Sequence, residues 1–264
     1  MPLMAFNAMD NNKVALVTGA GSGMGSTLAR ILCANGYDIA LHTGSNTERA
    51  NALKEELSST TDHRVEVFSA DFSSNGGALN LFEQFNKVFK RLDLFVGNAG
   101  VTIMGSMLDM TEQKFDMVNN INYKSAYFCI QQAAKIMIDK EIAGSITLIS
   151  SNHHAMVSRG NSAYSISKES MIKLTKHAAV EFAKYGIRIN CIAPGWINTG
   201  EKRMEGWHDD SIKLIPLGRW VQPEEIAQWI LFLNGPAALS LTGDTIELDG
   251  GVRLMAGPPA TYFD

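Results

Sequence analysis

The sequence has little cysteine. Three residues in 264, Cys33, Cys129 and Cys191, lie far apart. There is no CxxC and no zinc-type spacing, which excludes a disulfide scaffold and argues against a structural metal; three buried thiols in a reducing compartment are expected. No run of about 18 apolar residues occurs, so a membrane-spanning helix is not expected. The uncharged stretch from Phe95 to Leu108 is broken by Gly97, Asn98, Gly100, Thr102 and Gly105. Basic charge is not in excess: 23 Lys and Arg against 27 Asp and Glu give a net charge of −4. That disfavours nucleic acid as a partner, which calls for a basic face. Met1 to Asn12 has no basic segment ahead of an apolar one. It reads as a short leader rather than a signal peptide, and a cytoplasmic protein is expected. No Pro/Ser-rich linker, internal repeat or composition break appears. One domain over 13–251, with a leader 1–12 and a tail 252–264, is the expected organisation.

What is present is an alternation of strand and helix. Val14 to Thr18 is a short apolar run ending in a glycine-rich turn, hence a buried strand. Gly23 to Asn35 reads as a helix closed by Gly36. Tyr37 to His42, Val65 to Ser69, Leu92 to Val96, Ser145 to Ser150, Ile187 to Ala193 and Thr245 to Leu248 read as further strands. Between them, Asn46 to Leu57, Gly77 to Phe89, Thr111 to about Ile138, Ser162 to Tyr185 and Pro223 to Leu233 read as helices. The stripe Leu81, Phe82, Phe85, Val88 and Phe89 has helical spacing. Repeated βα units imply an α/β fold with a parallel sheet covered on both faces. The segment Gly200 to Leu214 reads equally well as a mobile flap or a surface helix.

Thr18 to Gly25 (TGAGSGMG) follows the first strand and opens the first helix. Glycines allow positive φ and close approach of a ligand. A helix N-terminus presents free N–H groups that suit a pyrophosphate. The GxGxxG spacing does not fit, because its third glycine would fall on Met24 or Ser26. TGxxxGxG does fit, with Gly19, Gly23 and Gly25 flanking Ser22 and Met24. A tight structural turn is the plain alternative. An acidic residue that binds an adenosine ribose should end the second strand. Thr43 stands there, followed by Gly44, Ser45 and Asn46. No carboxylate repels a 2′-phosphate, and Thr43, Ser45 and Asn46 can hydrogen-bond one. NADP is therefore expected in preference to NAD.

Tyr164 and Lys168 are four residues apart on a predicted helix and share one face. The spacing alone decides nothing; context does. Ser151 lies just past the strand SITLIS, at the carboxyl edge where open α/β sheets bind ligands. Asn122 lies in the preceding long helix, and Pro194 to Thr199 follows another strand end.

With these residues the sequence resembles the short-chain dehydrogenase/reductases in their single-domain form. The resemblance runs from about Lys13 to Gly251. It is carried by TGAGSGMG, GNAG (97–100), the set Asn122, Ser151, Tyr164 and Lys168, IRINCIAPG (187–195), PLGR (216–219), PEEIA (223–227) and LTGDTIELDGG (241–251). It implies a Rossmann-type doubly wound sheet of order 3-2-1-4-5-6-7 and hydride transfer between nicotinamide and a substrate carbon. It implies that Tyr164 moves the proton, Lys168 also bonds the nicotinamide ribose, Ser151 donates to the substrate oxygen and Asn122 holds a water. It places Asp71 and Phe72 beside the adenine, Asn98, Ala99 and Gly100 along the cofactor, and Ile197 and Thr199 at the carboxamide, with Pro194 and Gly195 in the same stretch. It implies a homotetramer built on the long helices. Two departures stand out: Gly97, where the family usually has asparagine and a loosened sheet hydrogen bond is expected, and the missing acid or base at Thr43 and Gly44. The chemistry asks for these residue types. A phenol loses its proton near pH 10 when free, and a neighbouring ammonium favours the phenolate.

For the substrate, His153 and Trp196 are the candidate contacts. Ser150 to His153 and Ile197 to Thr199 are similar to stretches of some glucose dehydrogenases of the family. With Asn152 and Asn161 nearby the rim is polar, which suits a sugar, polyol or hydroxy-ketone. His153 and His154 are adjacent and point differently, so no metal is expected. The alternatives are a 3-oxoacyl-thioester reductase, for which Arg159 and Lys202–Arg203 offer basic charge, and a non-catalytic nucleotide-binding sensor.

Overall fold

The computed structural model describes residues 12–44, 47–200 and 211–255. Seven strands alternate with helices in chain order: β1 (Lys13–Val17), α1 (Gly23–Ala34), β2 (Tyr37–Thr43), α2 (Thr47–Thr60), β3 (Val65–Ser69), α3 (Gly77–Val88), β4 (Leu94–Gly97), α4 (Glu112–Asn119), α5 (Ser125–Asp139), β5 (Ser145–Ile149), α6 (Ser162–Phe182), β6 (Arg188–Pro194), α7 (Pro223–Asn234) and β7 (Thr245–Leu248). The strands form one parallel sheet of order β3-β2-β1-β4-β5-β6-β7. That is the order the resemblance implies.

Strand side chains alternate between faces, so each strand feeds two cores. Val14, Leu16, Phe95, Ile146, Leu148 and Ile189 pack with α3, α5 and α6. Ala15, Val17, Ile39, Leu41, Val96 and Ile192 pack with α1, α2 and α7. Both faces being covered explains why the strands read as unbroken apolar runs. The Phe stripe of α3 serves the first core: Phe82, Phe85 and Phe89 lie with Phe68 and Phe95 at ring separations of 5.3–6.2 Å. All three cysteines are buried and unpaired. Burial pushes the Cys191 thiol up to about 12 and that of Cys129 higher, so both are inert hydrophobes. Among the described residues no helix is long and apolar enough to cross a membrane.

The long helix expected over 111–138 is not continuous. Between α4 and α5, Asn120–Lys124 forms a π-helical turn in which the Ser125 N–H reaches back to the Asn120 carbonyl. The cause is Asn122, which is fully buried and whose amide is drawn to the chain after β4. Turns of this kind mark functional sites more often than ordinary helix does. The other shifts are small: α6 ends at Phe182 before a 3₁₀ turn, and Pro194 closes β6 instead of standing outside it. Pro194 pairs in register with Leu248 at the end of β6, and the next amide, Gly195 N, donates to Leu248 O at 2.9 Å.

Candidate active site

The sheet order reverses between β1 and β4. Their carboxyl ends part and open a crevice, the general ligand position of open α/β sheets. The glycine turn fills one wall. Gly19 has φ +66°, a conformation that favours glycine. A methyl on Gly25 would collide with the Gly19 carbonyl and lie 2.7 Å from Asn98 Nδ2, so only glycine lets α1 pack this close to the turn. Asn98 braces the same turn: its Nδ2 donates to Thr18 O at 2.8 Å and Gly19 O at 3.2 Å. Thr18 Oγ1 in turn accepts from the Asn98 and Ala99 amides at 2.9 and 3.0 Å. Ser22 does not cap α1 with its side chain, and no acidic residue stands in the first turn. The helix therefore presents uncapped positive N–H groups to the crevice.

Thr43 is buried at the end of β2, and its carbonyl accepts from Ala70 N at 3.1 Å. Ser45 and Asn46 lie outside the described residues. Asp71 is exposed and its carboxylate accepts from Ser73 N, Ser73 Oγ and Ser74 Oγ at 2.7–2.9 Å, which hold it below the usual carboxylate range. The Phe72 ring is not at the surface; it stacks on His42 with centroids 4.1 Å apart and planes 17° apart. His42 was not a candidate on sequence grounds. A lone histidine in an apolar strand carries no signal.

The four residues of the proposed catalytic set come from three elements. Asn122 comes from the π turn, its Nδ2 donating to Val101 O (2.9 Å) and Ser167 Oγ (3.0 Å) and its Oδ1 accepting from Val101 N (2.8 Å). Ser151 follows β5 in extended backbone, and its Oγ accepts from His153 N at 3.2 Å. Half-buried Tyr164 and buried Lys168 lie one turn apart on α6. Lys168 is 3 % exposed, with Nζ donating to the Ile149 carbonyl at 2.8 Å and lying 5.6 Å from the Tyr164 ring centroid. A Cβ added to Gly100 would lie 3.3 Å from Lys168 Nζ and 3.5 Å from Asn122 Oδ1. The GNAG loop, the π turn and α6 thus meet at one point.

Past Ser151 the chain makes a 3₁₀ turn, Asn152–His154, that sends the two histidines apart. His153 meets Tyr164 edge to face at 5.6 Å, and its Nδ1 is buried without a partner. Burial holds its imidazole below the ordinary histidine range. His154 turns away, to Glu247 Oε1 (2.6 Å) and Glu169 Oε2 (3.2 Å), and ties the turn to β7 and α6. After β6, Gly195 lies against Asp249, and Ile197 pairs with Val221 in a parallel bridge. Trp196 is held there by its carbonyl, which accepts from Val221 N at 2.9 Å, and Thr199 is partly exposed two residues beyond Ile197. Lys202 and Arg203 lie outside the described residues. A nicotinamide dinucleotide fits this set of groups: uncapped helical N–H groups and a side-chain-free Gly100 beside a buried ammonium that lies near the Tyr164 ring.

Fold and site together define a nucleotide-dependent oxidoreductase acting on alcohol and carbonyl groups. The chain belongs to the short-chain dehydrogenase/reductase family: a family model described as "Enoyl-(Acyl carrier protein) reductase" matches residues 19–253. It is similar to a 3-oxoacyl-(acyl carrier protein) reductase of Staphylococcus epidermidis, 33% identical over 247 residues, which span 92% of this chain and all of the relative. Among solved structures it is similar to an acetoin dehydrogenase of Salmonella typhimurium (31% identity, 94% and 99% of the two chains, TM-score 0.85). An acetoin dehydrogenase of Enterobacter cloacae is also similar (33%, 96% and 98%, TM-score 0.86).

Proposed function

We propose that this oxidoreductase interconverts a small polar secondary alcohol, a hydroxy-ketone, sugar or polyol, with its carbonyl form, and that it takes NADP in preference to NAD. The observation that carries the substrate reading is His153: a buried ring nitrogen without a partner, on a ring in contact with Tyr164. Such a group costs stability unless something at the site bonds it. A second hydroxyl or carbonyl beside the reacting one does so. Two solved relatives named acetoin dehydrogenase agree with a hydroxy-ketone.

The bound dinucleotide supplies or accepts the hydride. Tyr164 gives the substrate oxygen its proton, or takes it, as general acid or base. The Lys168 ammonium, 5.6 Å from the centre of the Tyr164 ring, would bond the nicotinamide ribose. Ser151 Oγ donates to the substrate oxygen. Asn122 locks the Val101 backbone and Ser167 around this point, and its turn would hold a water of the proton relay. Gly19 to Gly25 receive the pyrophosphate, Asp71 and the Phe72 backbone border the adenine, Asn98 to Gly100 line the cofactor, and Pro194, Gly195, Ile197 and Thr199 hold the carboxamide end. Trp196 borders the substrate with His153. The NADP preference rests on Thr43, where a carboxylate would repel a 2′-phosphate; Thr43→Asp is expected to shift preference towards NADH. A tetramer across α5 and α6 is supported by the exposed Tyr127, Phe128, Ile166 and Val180 on those helices.

A second reading, a 3-oxoacyl-thioester reductase, is supported by the staphylococcal relative. The two separate in one assay of NADPH consumption. Acetoin, diacetyl and sugars are compared with an acetoacetyl thioester mimic, and polyols are assayed in the reverse direction by NADPH formation from NADP+. Higher kcat/KM for a hydroxy-ketone or sugar supports the first reading; higher kcat/KM for the thioester replaces it with the second.

A further inference from the structure

The site contains a buried titratable group that the reaction does not use. His42, the last residue but one of β2, is 2 % exposed and lies directly beneath the glycine turn. Both ring nitrogens are engaged: Nδ1 faces Gly19 N at 3.2 Å and Nε2 faces Ala70 O at 3.0 Å. The partners dictate the tautomer. An amide N–H only donates, so Nδ1 carries no proton; a carbonyl only accepts, so Nε2 carries one. The ring is neutral, and burial pushes its pKa down to about 4. Phe72 stacks on one face at 4.1 Å and fixes the ring plane. The His42 carbonyl also accepts from Ala20 N at 2.8 Å, so side chain and backbone of one residue hold two successive amides of the turn.

The two partners of this ring belong to different walls of the crevice. Gly19 opens the turn at the end of β1. Ala70 follows β3 and precedes Asp71. No β1–β3 pairing exists, because β2 lies between them. The His42 ring is the side-chain bridge across that gap.

We propose that His42 is a positioning residue for the dinucleotide: it sets the spacing between the Gly19 turn and the Asp71 loop, and it shapes cofactor affinity without touching the reacting atoms. The proposal rests on the reading of the Gly19–Gly25 turn as the dinucleotide site. Its mechanism is specific. The imidazole acceptor orients the Gly19 amide while Gly19 keeps its left-handed conformation, so losing the acceptor frees the turn to sample other geometries and lowers the fraction competent to bind. No change in the Tyr164–Lys168 pair follows, since His42 contacts neither.

Three variants test it: His42→Asn, His42→Gln and His42→Leu. Asparagine places an amide oxygen near the Nδ1 position and keeps an acceptor for Gly19. Glutamine reaches the Ala70 side instead, and leucine offers neither. Each is titrated with NADPH by fluorescence at 15 °C after circular dichroism shows it folded, and kcat is measured at saturating NADPH. His42→Leu and His42→Gln are expected to raise Kd about tenfold, the cost of leaving one buried amide unpaired. His42→Asn is expected to stay within about threefold of wild type on the same ground, and kcat within about twofold in all three, since transition-state contacts are untouched. If leucine does not fold, the Asn–Gln pair decides alone: equal Kd values for the two overturn the proposal. Leucine and glutamine variants that bind like wild type, or any of the three losing kcat with Kd unchanged, also overturn it. Wild-type protein that binds neither NADPH nor NADH overturns the dinucleotide reading itself, a result distinct from a failure of His42.

Discussion

His153 and Tyr164 meet edge to face, with ring centroids 5.6 Å apart and planes at 73°. Their separation is set by backbone: Ser151 Oγ accepts the His153 amide, and α6 carries Tyr164. His153→Phe keeps the ring contact and removes the nitrogens. The expected result is an approximately tenfold rise in KM for a hydroxy-ketone, about the worth of one hydrogen bond. Kd for NADPH should not change. Steady-state kinetics with acetoin and diacetyl check both; an unchanged KM removes His153 from the substrate site.

The Tyr164–Lys168 pair gives the second prediction. Tyr164→Phe removes the proton carrier and should cost about 10²–10⁴ in kcat while cofactor affinity is kept. Lys168→Arg keeps the charge but not the fit. Nζ is buried, bonded to Ile149 O at 2.8 Å, and lies 3.3 Å from the position of a Gly100 Cβ. A guanidinium is larger and planar and does not reproduce that point contact. Both kcat and NADPH affinity should fall in Lys168→Arg. Single-turnover kinetics separate the two losses.

Gly97 gives the third. Where the family usually carries asparagine, this chain has Leu148 in the space: a Cβ at 97 would lie 2.6 Å from Leu148 Cδ2. Both residues are fully buried. Restoring the family residue with Gly97→Asn overpacks the sheet and should cost about 1–3 kcal/mol. Leu148→Ala should restore part of that loss in the double variant, read as a coupling energy from urea melts. The sequence expectation of a loosened sheet bond thus becomes a packing exchange between β4 and β5.

His42 gives a pH prediction. Its pKa is near 6.5 in the unfolded chain and about 4 in the fold, lowered by burial. Between those values the unfolded chain binds the extra proton, so the contribution is complete above pH 6.5 and is lost as pH falls towards 4. The full loss is about 3 kcal/mol, at about 1.4 kcal/mol for each pKa unit. Unfolding free energy of the wild type should fall more steeply from pH 6.5 to 4 than that of His42→Asn. Parallel curves would mean that His42 takes up no proton on unfolding.

The fold was legible because its signals are local and repeated. Apolar strand runs, the α3 stripe and the glycine turn each mark one βα unit, and the family motifs fix their order. Tyr164 and Lys168 were legible as a helical pair. What stayed hidden depends on contacts distant in sequence. The π turn at Asn122 is caused by Val101, 21 residues away. The role of His42 is made by Gly19 and Ala70. Phe72 next to Asp71 looks like a surface neighbour, yet its ring lies in the core, stacked on His42. His154 is set apart from His153 by Glu247, 93 residues on, a pairing that spacing does not reveal.

The most direct test is a fluorescence titration of the purified protein with NADPH and, in parallel, NADH at pH 7. The account predicts saturable binding of both, with NADPH the tighter. Tighter binding of NADH would contradict the cofactor preference assigned from Thr43, and binding of neither would contradict the oxidoreductase account as a whole.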